Sequence, residues 1–460
     1  MISPQWQAEE QRLIGEAWTS PTLYSDLATL CDFGSRFGGT PSEAVAREWL
    51  TERFHSLGLK NVHLAPLTFT AWRRGACRVR IVEPREVELP SAISLVYSPS
   101  TPEGGLQAEV ADVGMGTEEE FAAWEGRLKG KIVMASSATP ENARVWVHRR
   151  EKYGRAVDAG AAGFLFVNHL PGRLAPTGSL RAGRVAEIPA AGLCLEDGFM
   201  IGRLARQGRT VVEMELHNET FRAETAHVIG EVPGSPGDEV IIVAAHYDGH
   251  DIAQGAMDDG TGVALVLELA RLFTPLANRL RRTIRFICFA VEELGVLGST
   301  EYVRQQGEAL KPVALVLNLD GGVTGGLGGF SVSGFAELIP LFKRWAAEMR
   351  LPLSVDETVG TATDAFPFVL QGIPAVNMRA RGRDIRLGRG FGHTAADTLD
   401  KVEPRDLHET AMTLARVLLR LATHDGLLAR RMTQSQVRQM LIDQGLERPL
   451  RAQGKWPFDG

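Results

Sequence analysis

The sequence predicts an α/β fold: a doubly wound, mostly parallel sheet flanked by helices, with a smaller α/β module inserted into it. Three observations carry this expectation. After His227, strand-like apolar runs alternate with stretches of helical periodicity, the pattern of a parallel sheet. Val240–Ala245 (VIIVAA) is apolar at every position, as in a strand covered on both faces. From about Val87 to Phe221 the texture changes to short runs punctuated by glycine and proline, which marks a separate module.

Composition bounds the rest. A chain of 460 residues exceeds one ordinary core. With 44% hydrophobic and 23% charged residues it is not a disordered polymer. Fifty Lys and Arg against 56 Asp and Glu give a net charge of −6, which argues against a nucleic-acid partner. No apolar run is long enough for a membrane span. MISPQWQAEEQRLIGEAW lacks the basic start and apolar core of a secretion signal, so a cytoplasmic location is expected. Cys31, Cys77, Cys194 and Cys288 stand singly, which excludes a cysteine-rich zinc site. Any metal must be held by His, Asp and Glu.

The elements follow in order. Gly34–Thr40 is a glycine-rich loop, and Ser42–Leu57 has helical spacing of Ala44, Val45, Trp49, Leu50, Phe54 and Leu57, with Gly58 as the stop. The inserted module offers strands at Gln107–Val113, Lys131–Ala135, Gly163–Val167, Ile188–Leu193 and Thr210–Leu216, and helices near Arg144–Ala159 and Leu195–Arg206. Beyond it, strands are expected at Val240–Ala245, Thr283–Val291, Pro312–Leu319 and Ala375–Met378. Helices are expected at Gly262–Phe273, Gly298–Gln306, Glu337–Met349 and Pro404–Thr423, and a short one at Thr433–Gln444. The division is therefore 1–86 and 223–425 for the main domain, 87–222 for the insertion and 426–460 for a tail. The tail reads as docking on its own chain, and a homodimer is left open.

Open parallel sheets bind ligands beyond the carboxyl ends of their strands. There this chain places His246-Tyr247-Asp248, then the loop Gly255-Ala256-Met257-Asp258-Asp259-Gly260, then Glu292-Glu293, then Asp320, and finally Gly392-His393. Each piece alone is an ordinary turn or helix cap. Together they bring so many carboxylates to one edge that mutual repulsion calls for cations. Imidazole and carboxylate suit zinc. His246, His393, Asp258, Glu293 and Asp320 supply two ions if one carboxylate bridges. Glu292, pointing away from Glu293, becomes the general base for a water nucleophile, and Asp248 accepts the distal N–H of His246.

The pieces AHYDG, GAMDDGTG, FAVEELGVLGS, LNLD, GIPAVN and GHTAADTLDKV, in this order, resemble the co-catalytic di-zinc aminopeptidase and glutamate carboxypeptidase family. The resemblance implies the zinc-exopeptidase fold and peptide substrates. It implies two zinc ions, with cobalt or manganese as replacements, on His246, Asp258 (bridging), Glu293, Asp320 and His393, and catalysis by Glu292 and Asp248. It also implies a cis peptide between Asp258 and Asp259. GKIVMAS, AGAAGFLFVN and IPAAGLCLED resemble a protease-associated domain, and AWRRG, VEPREVELP, TPEGG and DIAQGAMDDG resemble the carboxypeptidase Q (plasma glutamate carboxypeptidase) branch, which is associated with dipeptides. Where many members carry Tyr before the last ligand, this chain has Gly392, so the oxyanion falls to the metals, His250 or Tyr247. Thr363-Asp364-Ala365 replaces a serine-aspartate-histidine element. His250, Asp364, Arg379, Arg381 and Arg389 are the candidates for substrate binding, the arginines for a carboxylate. An exopeptidase leads. A carboxypeptidase or an amidase on acylated amino acids is the enzyme alternative, with a single-zinc acyltransfer or cyclase activity as a further one. A non-catalytic receptor-like protein on the same fold is the alternative from another class; receptors of that kind lose ligands that this chain keeps.

Overall fold

Val240–His246 becomes a central strand because both of its faces are covered, and every residue from Ile241 to His246 is buried. In the computed structural model, which describes residues 4–141, 143, 146–235, 239–382 and 390–459, it pairs parallel with Thr283–Phe289 on one side and Val313–Asn318 on the other. Ala375–Ala380 extends the parallel set beyond Val313–Asn318. The outer strands reverse this. Glu219–Val232 runs antiparallel to Thr283–Phe289, and Leu327–Ser331 antiparallel to Ala375–Ala380. Lys60–Arg73 and Ser354–Asp356 close the two edges of an eight-stranded sheet. The sheet is therefore parallel through its four inner strands and again between Leu327–Ser331 and Ser354–Asp356 at one edge. Helix Thr261–Phe273 packs on Val240–His246, and Pro404–Thr423 packs on that helix and on Pro4–Trp18.

The chain divides into two compact units. The first comprises Met1–Thr68, Glu224–Arg383 and Asp397–Gln444, and contains this sheet. The second comprises Phe69–Ala223, Asp384–Ala396 and Gly445–Gly460. It starts ahead of Val87 because Cys77–Glu83 pairs with Val211–Leu216 at the far end of the same segment.

The second unit also carries an eight-stranded sheet, with Leu106–Asp112, Ile132–Ser136, Gly163–Val167 and Ala190–Leu193 as its parallel centre. Alternate residues feed opposite faces. Val110, Ile132, Met134 and Leu165 join a core covered by Ile201 and Leu204 of helix Leu195–Gln207. Ala111, Val133, Ala135 and Phe164 join another, covered by Tyr153 and Ala156 of helix Arg149–Asp158. The sequence expects that helix from Arg144, which lies outside the described residues. Buried Lys152 on it donates to Ser136 O and Ala138 O, both at 2.6 Å. Burial pushes its pKa down to about 7, against the charge of Glu151.

The tail divides. Gln434–Asp443 belongs to the first unit, whereas Glu447–Ala452 packs on Arg149–Asp158 in the second. Gly154 is required there, since a Cβ would lie 1.9 Å from Ala452 O. No described helix is long and apolar enough to cross a membrane.

Candidate metal and catalytic site

His246 ends its strand, and the chain turns at once through Tyr247 and Asp248. The neighbouring strand Thr283–Phe289 ends opposite, with Phe289 in register with His246. Val291 then adopts φ 55°, a left-handed value that a β-branched residue rarely takes. Asp248 braces this turn. Its carboxylate accepts the N–H of Glu292 at 3.0 Å and of Glu293 at 3.1 Å.

Asp258 and Asp259 lie in a single wide turn, Ala256–Gly260, and the peptide between them is cis. Asp258 Oδ1 is 3.4 Å from His246 Nε2. One ligand atom each from His246, Asp258 and Glu293 fits within 4.8 Å, and so does one each from His246, Asp259 and Asp320. The first unit thus brings together four of the five expected ligands, with His246 common to both groups. His250 Nε2 lies 2.8 Å from Glu293 Oε2.

The charges are tightly coupled. Burial disfavours an imidazolium at His246, but the Asp248 and Asp258 carboxylates outweigh it and hold its pKa well above the ordinary value. Burial, with the negative charges of Asp320 and Asp258, raises Asp259 despite His246. Asp364 is buried, and burial together with the Glu292 charge raises it strongly.

His393 belongs to the second unit. Its Nδ1 lies 3.2 Å from Thr177 O, and its own carbonyl accepts the Thr177 N–H at 2.8 Å. Arg149 Nη1 donates to the same Thr177 carbonyl at 3.0 Å. Arg149 Nη1 also lies 3.4 Å from this Nδ1; in the tautomer with Nδ1 protonated toward Thr177 O, Nε2 is the lone-pair nitrogen.

The structure adds to several expectations. The Asp248 backbone carbonyl lies 3.0 Å from His246 Nδ1, and its carboxylate, 3.5 Å from the same nitrogen, also accepts the Glu292 and Glu293 N–H groups. Tyr247 offers nothing to an oxyanion: its hydroxyl is buried 2.5 Å from Glu43 Oε1 and 3.0 Å from Ala226 O. Arg379 pairs with Asp356 and Arg381 with Glu409. Arg389 lies outside the described residues.

Two further aspartates were not singled out from sequence. Asp259 accepts the His246 N–H at 3.3 Å and the Gly262 N–H at 3.0 Å. Asp397 accepts the N–H groups of Met257 and Asp258 at 2.7 and 3.2 Å, fixing the loop that carries Asp258. Its only signal is its place within GHTAADTLDKV.

Residues 227–418 match the profile of peptidase family M28. This region is a peptidase family M28 domain. Residues 93–201 of the peptidase match the PA domain. Carboxypeptidase Q of Mus musculus is 27% identical over 416 residues, 88% of this peptidase and 87% of that protein. A peptidase M28 precursor from Shewanella amazonensis SB2B superposes with a TM-score of 0.79 at 28% identity, covering 93% of this peptidase and 99% of that chain. A zinc aminopeptidase from Bacillus subtilis shares the fold, with a TM-score of 0.65 at 23% identity over 89% of this peptidase and 97% of that chain. The peptidase is a metallopeptidase with the zinc-exopeptidase fold and an inserted PA domain.

Proposed function

We propose that the protein is a zinc-dependent exopeptidase that hydrolyses dipeptides or short peptides. In this reading His246, Asp258, Glu293, Asp320 and His393 would hold two zinc ions, and Glu292 is the general base. The observation that carries it is that His246, Asp258 and Glu293 offer ligand atoms within 4.8 Å of one another, with Glu292 fixed beside Glu293 by Asp248. The part of His393 rests on its sequence motif.

The residues fit the metal. His246 Nε2 is buried and makes no hydrogen bond among the described residues; Asp258 Oδ1 is 3.4 Å from it. Nitrogen and carboxylate oxygen are ordinary zinc donors. Asp259 is assigned to support, because both of its oxygens accept backbone N–H groups.

Bound zinc supplies Lewis acidity, polarising the scissile carbonyl and acidifying water. The chain supplies the rest. Glu292 takes the proton of the attacking water and delivers it to the leaving amine. The Asp248 carboxylate keeps Glu292 and Glu293 in their relative positions, and the Asp248 carbonyl sets the ring of His246. Thr177 O does the same for His393. The likeness to carboxypeptidase Q favours a second reading, cleavage next to a free carboxyl terminus.

Metal content and a peptide panel test the proposal. We expect about two zinc ions per chain and turnover of free peptides that is lost on chelation and regained with zinc. Less than about one zinc per chain, with no activity restored by zinc or cobalt, overturns it. Comparison of free, N-blocked and C-amidated peptides separates the two readings.

A further inference from the structure

The loop Gly34–Thr40 has no part in the chemistry above, yet it carries a fully buried cation. Arg36 is 0% exposed. Its Nε donates to Tyr247 O at 2.7 Å, Nη1 to Gln254 O at 2.6 Å and to Leu30 O at 3.2 Å, and Nη2 to Gly255 O at 2.9 Å. In return, Arg36 O faces the Gly249 N–H at 3.4 Å. All four side-chain bonds go to backbone carbonyls.

Burying a guanidinium is expensive unless its donors are satisfied and negative charge is near. A scaffold needing only cohesion is better served by apolar packing. The position of the carbonyls gives a different reason for the charge. Tyr247 lies between His246 and Asp248, and Gln254 and Gly255 open the turn that carries Asp258. One planar fork therefore joins the end of the His246 strand to the Asp258 turn. Burial pushes its pKa down, against the negative charges of Asp397, Asp248 and Asp259. Lysine cannot reproduce this, since an ammonium is a compact point charge without fork geometry. Gly255 is also demanded: at φ 61°, a Cβ there would lie 3.2 Å from Arg36 Nη2 and 3.0 Å from Asp258 O.

We propose that Arg36 is the positioning residue of the metal-receiving loop, setting the separation of His246 and Asp258 through the carbonyls of Tyr247, Gln254 and Gly255. This rests on the ligand reading above.

The test uses the full chain, with zinc affinity measured by competition against a chromophoric chelator. Arg36→Lys should remain folded by circular dichroism and bind zinc ~10–100-fold more weakly, the range for groups that orient metal ligands. At saturating zinc its kcat should fall while KM stays within about twofold. A folded Arg36→Lys with wild-type zinc affinity and kcat overturns the proposal, even if its thermal midpoint is lower. Should Arg36→Lys not fold, Gly255→Ala disturbs the same contact while leaving the guanidinium in place, and the same two outcomes decide. Asp258→Asn is the control: if it binds zinc like the wild type, the ligand reading itself has failed, whatever Arg36 does.

Discussion

Asp248 accepts the backbone N–H of Glu292 at 3.0 Å, although the two residues stand on different strand ends. With its other oxygen on the Glu293 N–H, this one carboxylate sets where both glutamates begin. Asp248→Asn replaces one acceptor by an NH₂ facing a donor. Its kcat should fall ~10–100-fold with KM little changed, as for other groups that orient metal-site residues. Steady-state kinetics at fixed zinc check this, and unaltered kcat would refute the bracing role.

Glu292→Gln removes the proton acceptor but keeps the shape of the side chain. Turnover should drop by ~100-fold or more, while zinc content by elemental analysis stays at the wild-type level. Equal turnover in the variant would take Glu292 out of the reaction.

Tyr247→Phe separates stability from chemistry. The hydroxyl shares Glu43 Oε1 with Thr225 Oγ1, both at 2.5 Å. Its loss leaves a buried acceptor short of a donor, at a cost of ~1–3 kcal/mol in denaturant unfolding. We expect kcat within about threefold of wild type. A large fall in kcat with unchanged stability would reverse this assignment.

Lys152 gives a pH dependence to the second unit. Its pKa moves from 10.5 in the unfolded chain down to about 7 when folded, chiefly by burial. The unfolded chain therefore holds more protons between these values, so stability rises with pH across that window. Stability from this group is full above the unfolded value and is lost as pH falls through the folded one. Thermal midpoints of wild type and Lys152→Met, compared from pH 7 to about 10, should show the wild type gaining on the variant as pH rises. A constant difference would mean that Lys152 does not change its proton in this range.

The inner strands were legible because strands buried on both faces must be apolar throughout, and their carboxyl ends then placed His246, Asp258, Glu293 and Asp320 together. The edge strand Lys60–Arg73 was not, since its first half is largely exposed and contains Pro66. Helix Pro4–Trp18 buries only Trp6, Leu13 and Ala17 and is tied down by ion pairs such as Glu10 with Arg416 and Arg420, which no periodicity reveals. Within the site, the resemblance singled out Asp258, whereas the two backbone N–H groups that Asp259 accepts were not legible in the sequence. Arg36 was hidden for a related reason: a lone arginine among glycines reads as a solvated loop, and its partners are carbonyls that every residue possesses.

Thr177 lies in the segment that matches the PA domain and His393 in the segment that matches the peptidase, yet each bonds to the other in one compact unit. The insertion is thus no detachable accessory. A chimera that exchanges it with that of a relative also exchanges the carbonyl against which His393 is set, and a truncation that deletes it removes that carbonyl. In the proposed reading, grafting experiments on this scaffold should therefore keep Thr177 together with His393.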